Sequence, residues 1–138
     1  MIDAGKLIRE ALKAREMSYS PYSGYCVGAA LLTANGQIYT GCNIENAAFS
    51  PTNCAERTAF FKAVSEGQRD FCAIAIVGSK KGPVEHFAWP CGVCRQVMAE
   101  FCDPDRFAVI TAVSEEKFER RLLKELLPAS FGPGHVTE

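Results

Sequence analysis

The fold of this chain is decided by two stretches, Cys54-Ala55-Glu56 and Pro90-Cys91-Gly92-Val93-Cys94, each at the start of a predicted helix. Three thiols at this spacing suit a tetrahedral zinc ion, and catalytic zinc sites usually take three protein ligands and keep the fourth position for water. Helix N-termini carry partial positive charge, which favours thiolates over thiols. The pattern therefore predicts Cys54, Cys91 and Cys94 as the ligands of one zinc ion.

The acidic residue of the first stretch predicts chemistry beside the metal. Glu56 follows Cys54 by two positions, so on a helix the two side chains point to different sides. A carboxylate that does not bind the metal is free to accept and deliver protons, and we expect Glu56 to be the catalytic acid and base. The alternative is that these are ordinary buried cysteines, which are common in cores. The presence of both stretches in one chain argues against it.

Outward from these stretches, the predicted elements alternate in type. Asn35-Gly36 is a strong hairpin signal, and apolar residues at helical spacing or in continuous runs mark the other elements. In chain order we predict a helix over residues 2–17, a hairpin of strands over 25–33 and 37–43, a helix over 54–66, a strand over 71–77, a helix over 91–101 and a strand over 107–113.

Residues 118–127 leave three structures open: a strand, a helix, or a strand followed by a helical turn over residues 123–127, with Pro128 ending the element. The rest of the pattern implies a mixed sheet with helices packed on its faces. Parallel strands joined by crossover helices would place both cysteine-bearing helix starts at one edge of that sheet. Cys54 could then meet Cys91 and Cys94 in space.

Composition and charge exclude several classes of protein. The 138 residues predict a single domain over residues 1–138, and 48% hydrophobic with 22% charged residues is ordinary globular composition. A net charge of -1 gives no electrostatic reason to expect a nucleic-acid partner. We expect no membrane association and a cytoplasmic protein, because no apolar run approaches a membrane span and residues 1–6 lack a signal-peptide core. Seven cysteines without a secretory signal predict reduced thiols rather than a disulfide framework.

The chain resembles the small homo-oligomeric cytidine deaminases of pyrimidine salvage over nearly its whole length. The two cysteine stretches match the signature of zinc nucleobase deaminases, because they carry three thiols, a Glu that is not a ligand and Pro-Cys-x-x-Cys. Further matches are Ser20-Pro21-Tyr22-Ser23, Val27-Gly28-Ala29-Ala30-Leu31-Leu32, Gly41-Cys42-Asn43-Ile44-Glu45-Asn46-Ala47, Lys62-Ala63-Val64-Ser65-Glu66-Gly67, Arg95-Gln96-Val97 and Glu125-Leu126-Leu127-Pro128.

The resemblance implies a fold and a reaction. The expected fold is α/β/α, a mixed five-stranded sheet with helices on both faces. The expected reaction is the zinc-dependent hydrolytic deamination of cytidine and 2′-deoxycytidine to uridine and 2′-deoxyuridine plus ammonia, with one Zn²⁺ per chain. The resemblance also implies a homo-oligomer, a tetramer, whose active sites are shared between subunits.

The resemblance assigns roles to further residues. Arg57 would donate hydrogen bonds to the zinc thiolates and offset their charge; its ordinary alternative is a surface ion pair. Asn43 and Glu45 would bind the ribose, with simple turn polarity as the alternative. The substrate-binding set is completed by Ala55, by Tyr25 near the base, where the family usually has Phe, and by Phe131, which would cover the base from a neighbouring subunit. Tyr25 and Phe131 could instead be core residues.

Besides Tyr25, three positions depart from the family pattern, and together they leave the substrate preference open. Cys26 replaces the usual Pro, Asn53 an aliphatic residue and Trp89 a small residue. One alternative is therefore a related zinc deaminase that acts on an antibiotic cytosine nucleoside, on free cytosine or on a base within nucleic acid. Another is a non-catalytic structural zinc module, although zinc ribbons pair two Cys-x-x-Cys knuckles and this chain has one. Its fourth ligand would be Cys26, Cys42, Cys72 or Cys102.

Overall fold

The structure, a computed structural model, describes residues 2–137, so Met1 and Glu138, the two ends of the predicted domain, lie outside the described residues. The helices are α1 (Ala4–Arg15), α2 (Ala55–Ser65), α3 (Gly92–Phe101) and α4 (Leu123–Leu126), followed by a 3₁₀ turn at Pro133–His135. The strands are β1 (Tyr25–Thr33), β2 (Ile38–Cys42), β3 (Phe71–Lys80), β4 (Ala108–Ala112) and β5 (Phe118–Leu122). Every helix and strand predicted before residue 114 is present, with ends that differ by at most three residues.

The five strands form one mixed sheet in the order β2-β1-β3-β4-β5. Strand β3 pairs with β4 in parallel, and the other three pairs are antiparallel. Strands β1 and β2 form the predicted hairpin, in which Gly36 has φ +90°. Glycine adopts this left-handed conformation without steric cost, which explains the Asn35-Gly36 signal. Residues 118–127 form a strand followed by a helical turn, the third of the structures left open.

Helices cover both faces of the sheet, so the predicted three-layer arrangement is confirmed. On one face, Leu7, Ile8 and Ala11 of α1 pack against the sheet. On the other face, α2 and α3 contribute Phe60 and Met98 to the larger core. Burial of one large apolar side chain contributes about 1.5–3 kcal/mol, so these two layers hold the elements in place. No helix among residues 2–137 is both long and apolar enough to cross a membrane.

A glycine sets the distance between α2 and the sheet. A Cβ at Gly41 would lie 2.5 Å from the carbonyl oxygen of Ala55 and 2.6 Å from the amide nitrogen of Ala59, closer than real side chains come. The amino end of α2 can therefore lie directly on the end of β2. The segments on either side of this contact are also joined, because Ile44, two residues after β2, forms a β-bridge with Asn53, the residue before the N-cap Cys54.

Candidate active site

Both cysteine-bearing helix starts lie at the same edge of the sheet, as predicted. Strands β2 and β3 are both antiparallel to β1, so their carboxyl ends point the same way. Helix α2 begins after β2, and α3 begins after β3. Cys54 and Cys91 are the N-cap residues of these helices, and neither makes a side-chain capping bond. Their sulfurs are therefore free to face each other across the edge.

The three predicted zinc ligands form one cluster. Cys54 Sγ lies 3.7 Å from Cys91 Sγ, which lies 3.5 Å from Cys94 Sγ, and the three sulfurs are all within 4.8 Å of one another. Zinc–sulfur bonds of about 2.3 Å in a tetrahedron place neighbouring sulfurs about 3.8 Å apart. The donor set therefore fits one zinc ion per chain. Within residues 2–137 no other His, Cys, Asp or Glu joins this cluster, so a closed four-ligand structural site lacks its fourth ligand.

The electrostatics of the cluster favour a thiolate at Cys54. A hydrogen bond with the Cys94 thiol and a second one from Arg57 hold the pKa of Cys54 well below its usual range. The hydrogen bond with Cys54 and burial raise the pKa of Cys94 in turn. Arg57 Nη2 donates to Cys54 Sγ over 3.3 Å. The predicted role of Arg57 requires this contact, and its charge offsets that of the sulfur.

Glu56 is buried in the first turn of α2 and lines a cavity beside the cysteines. Only 5% of its surface is exposed. Burial raises the pKa of its carboxyl to about 7, and the neighbouring Cys54 also acts to raise it. A group with a pKa near neutrality can both accept and release a proton during one reaction cycle. The environment thus suits the predicted acid and base.

The cavity has a volume of about 460 Å³, within the range of roughly 300–1,000 Å³ that is usual for small-molecule sites. Most of the predicted site residues line it; Cys94, Arg57 and Phe131 do not. The predicted residues that line it are Tyr25, Asn43, Glu45, Cys54, Ala55, Glu56 and Cys91.

Asn43 is held in the cavity wall by β1 and the turn before it. Its Oδ1 accepts hydrogen bonds from Val27 N at 2.9 Å and from Ser18 Oγ, and its Nδ2 donates to the Tyr25 carbonyl oxygen at 2.7 Å. An amide nitrogen has two hydrogens, so one N–H of Asn43 is left for a ligand. Asn43, which we predicted to bind ribose, therefore also connects β1 to the end of β2.

Glu45 is held by the turn that precedes β1. One carboxylate oxygen accepts from Tyr22 N at 2.9 Å and Ser23 N at 3.1 Å, and the other accepts from Ser23 Oγ. These bonds, that of the Ser23 hydroxyl first, hold the pKa of Glu45 below its usual value. An ionised carboxylate thus lines the cavity together with Asn43.

Phe131 does not lie in the cavity of its own chain. Its ring is 60% exposed and stacks on His135, with ring centroids 5.1 Å apart. Its carbonyl oxygen accepts a hydrogen bond from Gln96 Nε2 on α3. Its predicted role in a neighbouring subunit's site stays a prediction.

Part of the cavity wall was not predicted from the sequence. Ser23, Thr52 and residues 86–88 line the cavity, and none was among the predicted site residues. Trp89 and Asn53, which we noted as departures from the family pattern, also line it. One signal was available in the sequence: the bulky Trp89 lies close to the first cysteine of the Cys-x-x-Cys pair. It indicated that the segment before it forms part of the cavity wall.

A three-thiol zinc site beside a buried carboxyl, on the edge of a three-layer α/β/α fold, defines a zinc-dependent hydrolase. Comparisons with known proteins identify its family. The family model of the cytidine and deoxycytidylate deaminase zinc-binding region matches residues 1–111. The chain belongs to the cytidine deaminase family, of the three-cysteine zinc type, and is an enzyme.

Individual relatives agree over almost the full chain. A cytidine deaminase of Sporosarcina psychrophila is 54% identical over 94% of this chain and 92% of its own length. One from Halalkalibacterium halodurans is 50% identical over 94% of this chain and 95% of its own length. The crystal structure of cytidine deaminase from Burkholderia pseudomallei superposes with a TM-score of 0.83 at 43% identity and covers 94% of this chain and 100% of that one. The predicted cytidine deaminase fold is therefore confirmed.

Proposed function

We propose that this chain hydrolyses cytidine and 2′-deoxycytidine to uridine and 2′-deoxyuridine with release of ammonia, in pyrimidine salvage. The observation that carries the proposal is one cavity in which buried Glu56 lies beside the three-thiol cluster and shares the walls with the polar pair Asn43 and Glu45. The names of the relatives support the substrate. Residues 1–138 would form one deaminase domain in a cytoplasmic enzyme.

The metal site would be held by Cys54, Cys91 and Cys94. When bound, zinc supplies a water molecule of lowered pKa that can act as a nucleophile at neutral pH. Three thiolates would leave the site with a net negative charge, which weakens this effect. Arg57, 3.3 Å from Cys54 Sγ, reduces that charge.

Glu56 moves the protons of the reaction. Its carboxylate accepts the proton that the attacking water loses and delivers it to N3 of the cytosine ring, while the water oxygen bonds to C4. The new C4 hydroxyl then gives its proton to Glu56, which passes it to the exocyclic amine; the C4–N bond breaks, ammonia leaves and the C4 carbonyl of uridine forms. Burial suits both steps, because it brings the pKa of this carboxyl to about 7.

The sugar would be recognised by Asn43 and Glu45. The remaining N–H of Asn43 can donate to a ribose hydroxyl, and the Glu45 carboxylate can accept from one. A ligand without the sugar would leave the remaining N–H of buried Asn43 without a partner, which costs roughly 1–3 kcal/mol. The pair therefore favours nucleosides over free cytosine.

We further propose a homotetramer with shared active sites. Phe131 supports it, because its ring is largely exposed and lies outside the cavity of its own chain. In the proposed assembly this ring covers the substrate base in a neighbouring subunit. Stacking of an aromatic ring on a base is worth roughly 1–3 kcal/mol in nucleic-acid binders.

The function is tested by the loss of nucleoside absorbance on incubation with purified, zinc-loaded protein. We expect turnover of cytidine and 2′-deoxycytidine, little turnover of free cytosine, and none with the Glu56→Gln variant. Failure to deaminate both nucleosides would overturn the proposal. Comparable turnover of cytosine and cytidine would show that Asn43 and Glu45 do not recognise the sugar.

A further inference from the structure

We propose that His86 is a further substrate-binding residue, oriented by the Tyr25 hydroxyl, whose free Nδ1 forms a hydrogen bond with a sugar hydroxyl of the nucleoside. Both side chains line the cavity. The inference rests on the proposed function, because it specifies how the same cavity recognises its substrate. It adds a residue from a segment in which no site residue was predicted.

The contact between the two side chains fixes the imidazole. Tyr25 Oη lies 3.0 Å from His86 Nε2 and also donates a hydrogen bond to the Gly78 carbonyl oxygen at 3.4 Å. The contact engages Nε2 whether that nitrogen donates or accepts, and it leaves the second ring nitrogen, Nδ1, for a ligand. Among residues 2–137, the exposed His86 side chain has no other hydrogen-bond partner, so Nδ1 is available to a ligand.

Tyr25 links His86 to the predicted ribose residue Glu45. Tyr25 N donates to Ser23 Oγ at 2.9 Å, and Ser23 Oγ donates to the Glu45 carboxylate. One chain of contacts therefore runs from Glu45 through Ser23 and Tyr25 to His86. Glu45 is the predicted ribose residue, and we therefore assign the free Nδ1 of His86 to a sugar hydroxyl, which can either donate to it or accept from it.

The backbone on both sides of His86 is anchored to the sheet and α1. On the amino side, Arg15 Nη2 donates to the Gly82 carbonyl oxygen at 2.8 Å. On the carboxyl side, the buried Thr111 hydroxyl accepts from Ala88 N at 2.9 Å and donates to Ala88 O at 3.0 Å. The next residue, Trp89, lies under the Arg121 guanidinium, 5.7 Å from the ring centroid. A group held in place before binding loses less entropy when the ligand arrives.

The proposal is tested by the kinetics of His86→Ala, Tyr25→Phe and the double variant on cytidine and on its 2′-deoxy, 3′-deoxy and 5′-deoxy analogues. We expect His86→Ala to raise KM for cytidine roughly 3- to 10-fold, the range of one hydrogen bond, with kcat within twofold. This penalty should disappear for one deoxy analogue, the one that lacks the hydroxyl bound by His86. Tyr25→Phe should raise KM less and add nothing in the double variant.

Two further variants separate binding from folding. His86→Gln keeps a side chain that can donate or accept a hydrogen bond and should bring KM part of the way back to the native value, whereas a purely structural role would not be rescued in this way. Glu85→Ala changes the neighbouring residue, which does not line the cavity, and should leave KM unchanged. Suppose that the native enzyme turns over cytidine. An unchanged KM in His86→Ala, or an equal rise in KM for all four nucleosides, would then overturn the inference. If the native enzyme leaves cytidine unchanged, the proposed function itself is wrong.

Discussion

Helix α2 has two buried parts, its first turn with Glu56 and its middle with Ala59, Phe60 and Ala63. In the middle, burial removes apolar side chains from water, and this burial stabilises the fold. In the first turn a carboxyl leaves water, and burial raises its pKa to about 7. Burial thus gives stability in one part of the helix and reactivity in the other, at a cost to stability. A substitution in the first turn should therefore lower turnover and leave stability nearly unchanged, whereas a substitution in the middle should lower stability.

The largest effect on turnover is expected from Glu56→Gln in the first turn. The amide keeps the shape of the side chain but cannot transfer protons. General acid–base catalysis contributes about 10²–10⁴-fold, and kcat should fall by at least that range because Glu56 serves several transfers. Zinc content and melting temperature should stay nearly native.

The matched control is Glu66→Gln, because Glu66 lies exposed at the other end of α2. Its kcat should stay within twofold of the native value in the same absorbance assay. Near-normal turnover by Glu56→Gln would refute the assigned role.

Phe60→Ala, in the middle of α2, should lower the stability of the fold. Phe60 is fully buried, and its ring centroid lies 5.2 Å from that of Phe71 and 6.0 Å from that of Phe107. Loss of such a side chain costs about 3–5 kcal/mol of unfolding free energy, measured by denaturant titration. Phe61→Ala is the control, since Phe61 is 48% exposed, and it should cost much less. Equal losses would mean that α2 does not pack as described.

Arg57→Gln should affect the metal site by an intermediate amount. The variant removes the charged donor 3.3 Å from Cys54 Sγ. Loss of a group that supports a metal ligand typically costs about 10–100-fold in metal affinity or activity. Zinc affinity, measured by competition with a chelator, should fall within that range, and Arg57→Lys should restore part of it. Native affinity in Arg57→Gln would show that this contact does not support the site.

The smallest effect in this series is expected from Phe131→Ala. Because the ring is exposed in the isolated chain, folding should be nearly unchanged. KM for cytidine should rise about tenfold if the ring stacks on the base in a neighbouring site.

Subunit sharing can be tested by mixing Phe131→Ala with Glu56→Gln. If subunits exchange, some sites regain an intact Glu56 together with an intact Phe131 from the neighbour, and turnover with a low KM should return. An active monomer in size-exclusion chromatography would contradict the shared site.

The parts of the molecule that were predictable depend on local pattern. The thiol spacing indicated the zinc ligands, and Asn35-Gly36 indicated the β1–β2 hairpin. Strand β5 (Phe118–Leu122) was ambiguous because it is an edge strand with mostly exposed side chains, and α4 follows it without an intervening turn. The alternation of apolar and polar residues that marks a half-buried strand is therefore weak there.

The missed cavity wall depends instead on contacts between distant residues. Thr111 holds Ala88 across 23 positions of sequence, and Arg15 holds Gly82 across 67. Contacts of this kind leave no periodicity or spacing in the segment that they position. Residues 86–88 could therefore be assigned to the cavity only from the structure.

The central claim is that three thiols hold one zinc ion beside Glu56, and metal analysis of the purified protein tests it most directly. We predict one zinc per chain in the native protein and in Cys102→Ala, since Cys102 is buried away from the cluster. We predict loss of stoichiometric zinc in Cys91→Ala. Stoichiometric zinc that survives in Cys91→Ala would contradict the assignment of the metal site.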